Sequence, residues 1–155
     1  MRILVVDDST IFRKVVRDTL SEIAGVEVIG VANDGKAALE KIDRLKPDLV
    51  TLDIEMPVMN GIEVLRKLRL RSSRPEVIML SSLTDEGAYS TTQALRLGAF
   101  DFVLKPAQSS LEESRQELQR HLVPKVQALT LRGKSTADAP TALTRTPANQ
   151  TEGWV

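Results

Sequence analysis

Apolar and polar positions along this chain follow two alternating rhythms: short β-branched runs, and longer stretches in which apolar residues recur every three or four places. Arg2 to Val6 is the first run, and Ser9 then stands where an N-cap opens a helix with Phe12, Val16, Leu20 and Ile23 on one face. Gly25 ends that helix. Val26 to Val31 predicts a second strand, Asn33-Asp34-Gly35 a turn, and Ala38, Leu39, Ile42 and Leu45 a second helix closed by Lys46-Pro47. The third run, Asp48 to Asp53, is nearly continuous in apolar character, as in a strand covered on both faces. A loop from Glu55 to Gly61 leads into a helix with Ile62, Leu65 and Leu68 inward, and Glu76 to Leu80 predicts a fourth strand ending on Ser81-Ser82.

Glu86 to Leu97 predicts a fourth helix whose face, Ala88, Thr91, Ala94 and Leu95, is weakly apolar, so it is the helix best suited to move. Ala99 to Leu104 is the fifth strand. A last helix begins near Ser110 and carries Leu111, Leu118, Leu122, Val126 and Leu129 in register. Pro124 interrupts it, because proline has no N–H for the carbonyl of Arg120 and its ring crowds that carbonyl, so a kink or stop is expected there. From Arg132 on, the large apolar residues are Leu143, Trp154 and Val155, too few to support ordering. The expected organisation is one domain over residues 1–131 and a disordered linker or tail over 132–155.

Strict strand–helix alternation implies an α/β fold, because right-handed crossovers lay each helix on a face of a parallel sheet. The expected architecture is three-layered and doubly wound, five parallel strands in the flavodoxin-like order 2-1-3-4-5, with ligands outside the carboxyl ends of the strands. Three runs end on charge at that rim: the first on Asp7-Asp8, the third on Asp53, the fifth on Lys105-Pro106.

Composition narrows the chemistry. The 21 basic and 21 acidic residues cancel, so the charge balance gives no argument for nucleic acid or an anionic membrane. There is no cysteine, and His121 is the single histidine, which rules out a disulfide framework, thiolate metal sites and sites built on several histidines. No apolar run nears the roughly 20 residues that span a bilayer, and the N-terminus lacks the pattern of a signal peptide. The expectation is a soluble, cytoplasmic protein.

Two unit charges 4 Å apart at an effective dielectric near 20 repel by about 4 kcal/mol, so three carboxylates at one rim call for compensation. Lys105 supplies one charge. A hard dication held by oxygen supplies the rest, and magnesium fits because it takes one or two carboxylates and leaves room for phosphate oxygens. An aspartate in such a place can attack phosphorus, and Asp53, followed by an open loop, is the nucleophile candidate, with Asp7 and Asp8 as the metal-holding pair. Ser81 could bond a phosphoryl oxygen, Ser82 being the weaker claimant. Phe102 is either core or a rotating aromatic that reports the state of Ser81. Taken singly these residues have plainer readings: Asp-Asp-Ser as a helix cap, Lys105-Pro106 as a strand exit, His121 as a solvated helix residue. Their conjunction favours a ligand.

The motifs Val5-Val6-Asp7-Asp8-Ser9, Asp53 through Gly61, Ser81-Ser82 and Lys105-Pro106 together resemble the receiver domains of two-component response regulators, over about Met1 to Leu131. That resemblance implies Asp53 as phosphate acceptor and magnesium held by Asp8, Asp53 and the backbone carbonyl of Glu55, with Asp7 acting through water. It also implies Ser81 and Phe102 as switch residues, Lys105 as phosphate partner, and a cis Lys105-Pro106 bond. Within the family, Asp8 to Arg13, Met79 to Thr84 and Gly98 to Pro106 are similar to the regulatory half of the chemotaxis protein-glutamate methylesterases. The implied partners are a chemotaxis-type histidine kinase and an adjoining or separate methylesterase domain, met through the face from Glu86 to Phe102. The serine, histidine and aspartate of an esterase half are absent, so no esterase activity is expected of this chain. The alternatives are a stand-alone receiver acting by protein–protein contact and, further off, a small aspartate-nucleophile phosphatase, a flavodoxin-like cofactor carrier or a receiver kept only as a scaffold.

Overall fold

The structure is a computed structural model that describes residues 1–82, 85–107 and 110–138, with 85 and 133–138 described by backbone alone. Its strands are β1 (Arg2–Val6), β2 (Glu27–Ala32), β3 (Leu49–Asp53), β4 (Glu76–Ser81) and β5 (Asp101–Leu104). All neighbours pair in parallel in the order β2-β1-β3-β4-β5. The helices are α1 (Thr10–Ser21), α2 (Gly35–Leu45), α3 (Gly61–Leu68), α4 (Asp85–Arg96), α5 (Leu111–His121) and α6 (Val123–Asp138). The chain order reverses between β1 and β3, so the rim above those strands is the switch point of the sheet.

Each strand alternates its side chains between two apolar layers. Ile3, Val5, Leu49, Ile78, Leu80 and Val103 face α1, α5 and α6, where Val16, Leu20, Leu118, Leu122, Val126 and Leu129 are buried. Leu4, Val6, Val50, Leu52, Val77 and Met79 face α2, α3 and α4, with Leu39, Ile42, Leu65, Leu68 and Ala94. Burying a large aliphatic side chain contributes about 1.5–3 kcal/mol, so these layers fix the sheet rigidly. Side-chain caps set where the helices begin. Ser9, Asp34 and Ser110 accept from Phe12 N, Ala37 N and Glu113 N, and Asn60 forms a reciprocal capping box with Glu63.

Three details differ from the sequence reading, and two helix ends agree with it. The buried stripe of α4 is Gly87, Thr91 and Ala94, whereas Ala88 and Leu95 are exposed. The i, i+4, i+7 spacing from Gly87 seats the backbone close to β4, and Ala88 lies about 100° round the helix from it. Lys46, ahead of Pro47, closes α2 in the left-handed region at φ 50°. The helix after Ser110 does break at the predicted place, α5 ending at His121 with Pro124 in the first turn of α6, where a missing N–H costs nothing. Beyond it α6 continues past Leu131 to Asp138, so the start of the stretch expected as linker is helical; residues 139–155, Trp154 included, lie outside the described residues. Finally, the Lys105-Pro106 bond is trans, since the described residues contain no cis peptide. Trans is the intrinsically favoured isomer even before proline, and from it Lys105 already reaches its acidic partners.

Candidate functional site

Register places the acidic residues together. Val6 pairs with Leu52 across β1 and β3, so Asp7 and Asp53, each one step further on, emerge side by side at the rim. Asp8 follows Asp7 into the turn before α1. One carboxylate oxygen from each of Asp7, Asp8 and Asp53 lies within 4.8 Å of the others. Asp7 and Asp53 are buried, at 0% and 2% exposure, and Asp8 is exposed. From the end of β5, Lys105 Nζ approaches Asp7 Oδ2 at 3.0 Å and Asp53 Oδ2 at 2.9 Å.

Three carboxylates against one ammonium leave a charge imbalance that shows in the acidities. Burial first, and the neighbouring Asp7 charge second, push the Asp53 carboxyl up to about 7, against the pull of Lys105 and of the Glu55 N–H. Burial alone would lower Lys105, but the charges of Asp7 and Asp53 and the hydrogen bond to Asp53 more than reverse that and hold it above the usual lysine range. Asp7 Oδ1 accepts from Ser9 N at 2.8 Å, whereas Asp7 Oδ2, though close to Lys105, accepts no hydrogen bond among the described residues. Three carboxylates in a cluster of hard oxygen donors, two of them buried and sharing a single ammonium, fit a small dication.

The loop after β3 completes the rim. Glu55 N donates to Asp53 Oδ1 at 3.2 Å, and Gly61 N donates to Ile54 O at 2.8 Å, closing the loop on itself. A Cβ at Gly61 would overlap the Asp53 carbonyl oxygen and fall 3.0 Å from Ile54 Cα, so only glycine admits this close return. Val58, at the loop's tip, has φ 69°. The Glu55 side chain turns aside and accepts from Ser82 Oγ at 3.2 Å.

Ser81 and Phe102 sit one strand further out. Ser81 is buried at the end of β4, and its hydroxyl is turned to α4: Oγ accepts from Thr91 Oγ1 at 2.8 Å, and its proton is shared between Gly87 O at 3.2 Å and Ser82 O at 3.3 Å. None of its hydrogen bonds among the described residues runs to Asp53 or Lys105. Phe102 is half-buried on β5 and packs against the core layer of α2, α3 and α4. It also lines a groove of about 280 Å³ together with Ala88, Leu95 and Leu104. His121 is exposed and pairs with Glu117 on its own helix.

Sequence reasoning missed three contacts. Thr91 read only as one position on a helix face. Phe12, read as core, places its ring 4.6 Å from Lys105 Nζ, a cation–π contact. Arg13 donates to Asp7 O at 2.9 Å. The helical register of Phe12 and Arg13 just after Asp8 was a signal for the last two, since the first turn of α1 must flank the rim. Thr91 offered only a polar residue on an inward stripe.

A five-stranded doubly wound sheet with a buried acidic cluster and a lysine at its switch point defines a class, and the chain belongs to it: residues 3–119 match the response regulator receiver domain family. The sequence is 52% identical over 132 residues to the protein-glutamate methylesterase/protein-glutamine glutaminase of Desulfotalea psychrophila, covering 85% of this chain and 36% of that protein. The corresponding Bacillus subtilis protein is 48% identical over 134 residues, covering 86% of this chain and 37% of its own length. The chain thus spans about a third of the length of these curated relatives. Among solved structures, the response regulator domain of Thermotoga maritima CheB superposes with a TM-score of 0.70 at 44% identity, covering 84% of this chain and 96% of that one.

Proposed function

We propose that this domain takes a phosphoryl group onto Asp53 from the phosphohistidine of a chemotaxis-type histidine kinase in the cytoplasm, and uses it to control a methylesterase domain, adjoining or separate. In the transfer, an Asp53 carboxylate oxygen bonds to phosphorus while the P–N bond to the imidazole breaks, and the imidazole leaves with a proton. The observation that carries this reading is the Asp53 carboxylate itself, buried at the rim with Lys105 Nζ at 2.9 Å and Asp7 beside it.

Asp8, Asp53 and the backbone carbonyl of Glu55 would hold magnesium, with Asp7 contributing through water. Bound there, the dication would neutralise carboxylate charge and polarise the phosphoryl oxygens. Lys105, anchored over the Phe12 ring, stays protonated and meets the charge on the transferred group. Ser81 would turn inward to a phosphoryl oxygen, and Phe102 would follow into the space that α4 vacates. The output face is then α4 with β5, where Tyr89, Leu95 and Leu104 are exposed. No helix among the described residues is long and apolar enough to cross a membrane.

The test is incubation with acetyl phosphate and magnesium followed by intact-mass measurement. The parent chain is expected to gain one phosphoryl group and Asp53→Asn none; an unshifted parent mass would end this reading.

A further inference from the structure

We propose that Thr91 is a positioning residue that holds the Ser81 hydroxyl in its outward, resting rotamer, and so sets how readily the domain adopts its phosphoryl-bound form. The inference rests on the reading of Ser81 as the group that turns toward the phosphoryl oxygens.

Thr91 is an anomaly on α4. It is 7% exposed, between Gly87 and Ala94 on the stripe facing β4, where an apolar side chain would ordinarily pack. Its Oγ1 donates to Ser81 Oγ at 2.8 Å. The Ser81 hydroxyl has a single proton, shared between Gly87 O at 3.2 Å, four residues before Thr91 on the same helix, and Ser82 O at 3.3 Å. Ser81 is thus clamped to α4 from both sides, once as acceptor and once as donor.

That proton cannot serve Gly87 and a phosphoryl oxygen together. When Ser81 turns inward, the Thr91 hydroxyl, 7% exposed at the foot of the groove beside Phe102, loses the Ser81 oxygen as acceptor, and a largely buried polar group without a partner is costly. Thr91 must then exchange Ser81 for another acceptor, by turning back to the Gly87 carbonyl one turn earlier or by a shift of α4, and the cost of that exchange opposes the inward state. Thr91 therefore restrains the resting domain and couples the Ser81 rotamer to the position of α4. A purely apolar stripe would pack the helix as well and do neither.

The test compares the intact chain with Thr91→Val, Thr91→Ser and Ser81→Ala, titrating beryllofluoride in the presence of magnesium as the phosphoryl probe. Thr91→Val keeps shape and removes the donor, so it is expected to tighten apparent beryllofluoride binding roughly 2- to 10-fold, the equivalent of one buried hydrogen bond. Thr91→Ser keeps the hydroxyl and is expected to bind as the parent does. Ser81→Ala is expected to weaken binding. Should Thr91→Val misfold by circular dichroism, Thr91→Ala supplies the same measurement. Unchanged or weaker binding in the donorless variant, with Ser81→Ala still impaired, overturns the role of Thr91 and leaves that of Ser81 standing. An unaffected Ser81→Ala overturns both.

Discussion

Replacing Asp53 by asparagine is expected to stabilise the metal-free domain at alkaline pH and to leave it almost unchanged near pH 4. The folded Asp53 carboxyl lies at about 7 against an ordinary value of 3.8. Below 3.8 both folded and unfolded chains hold the proton, and no difference arises. Between 3.8 and 7 the folded chain keeps a proton that the unfolded chain releases, so stability falls as pH rises, and above 7 the full cost is present. Each pKa unit corresponds to about 1.4 kcal/mol, so the whole displacement amounts to roughly 4 kcal/mol. Asparagine removes the buried charge but also one partner of Lys105, which keeps Asp7 at 3.0 Å. Charging that loss at about 1 kcal/mol, as for a single hydrogen bond, leaves a gain of roughly 3 kcal/mol at pH 8.

The assay is urea unfolding of both proteins in a chelator at pH 4 and pH 8. In a domain of this size, roughly 3 kcal/mol corresponds to about 6–12 °C in melting temperature. Adding magnesium is expected to stabilise the parent in proportion to the logarithm of its concentration, and the asparagine variant far less. Equal stabilities at pH 8, or a gain that does not change with pH, would refute the electrostatic account of the rim.

The same acidity governs reactivity. At limiting magnesium, acetyl phosphate labelling of Asp53 is expected to rise about tenfold from pH 6 to pH 8, following the ionised fraction of a group near 7, and a flat profile in a mass-spectrometric time course would contradict this. Val58→Gly is expected to raise stability by about 1 kcal/mol, because a β-branched residue at φ 69° carries left-handed strain and Val58, 78% exposed, buries little; a lower melting temperature would count against it. Gly61→Ala is expected to cost on the order of 2–4 kcal/mol and most of the labelling, since the new methyl meets the Asp53 carbonyl and must push the loop away from the rim. Wild-type unfolding by that variant would show that the loop has room.

The sheet and the acidic rim were legible in the sequence because each rests on local signals. Continuous apolar runs such as Leu49 to Leu52 admit one reading, and once strands 1 and 3 are neighbours the placement of Asp7 beside Asp53 follows from register alone. The cap at Ser9 was equally plain. The rest depends on contacts between elements. Lys125 pairs with Asp101 at 2.9 Å, and Arg132 with Glu76 at 2.6 Å while its guanidinium lies over Phe100, so α6 is bound to the near ends of β4 and β5 and runs past the expected boundary. The inward face of α4 turned on where a glycine could seat, a small rotation that a weakly amphipathic pattern does not specify. The left-handed φ of Val58 and the orientation of the Ser81 hydroxyl leave no trace in composition or periodicity.

The helices around the sheet are held very unequally, and that inequality decides where a change at the rim can be felt. On one face α1, α5 and α6 bury Val16, Leu20, Leu118, Leu122, Val126 and Leu129, each worth about 1.5–3 kcal/mol, so moving any of these helices would cost many kcal/mol. On the other face α4 offers β4 and β5 a glycine, a threonine and an alanine. At the rim it is bonded through the Ser81 hydroxyl, which meets both Gly87 and Thr91 and sits beside the place a phosphoryl group would occupy. A rearrangement worth a few kcal/mol can therefore displace α4 and nothing else, and the side chains it would carry with it, Tyr89 and Leu95, are already exposed beside Leu104. Amide hydrogen exchange follows from this: protection in α4 is expected to change on adding beryllofluoride and magnesium, while α1 and α5 keep theirs. Equal changes in α5 would mean that the apolar layers, rather than the Ser81 clamp, carry the response.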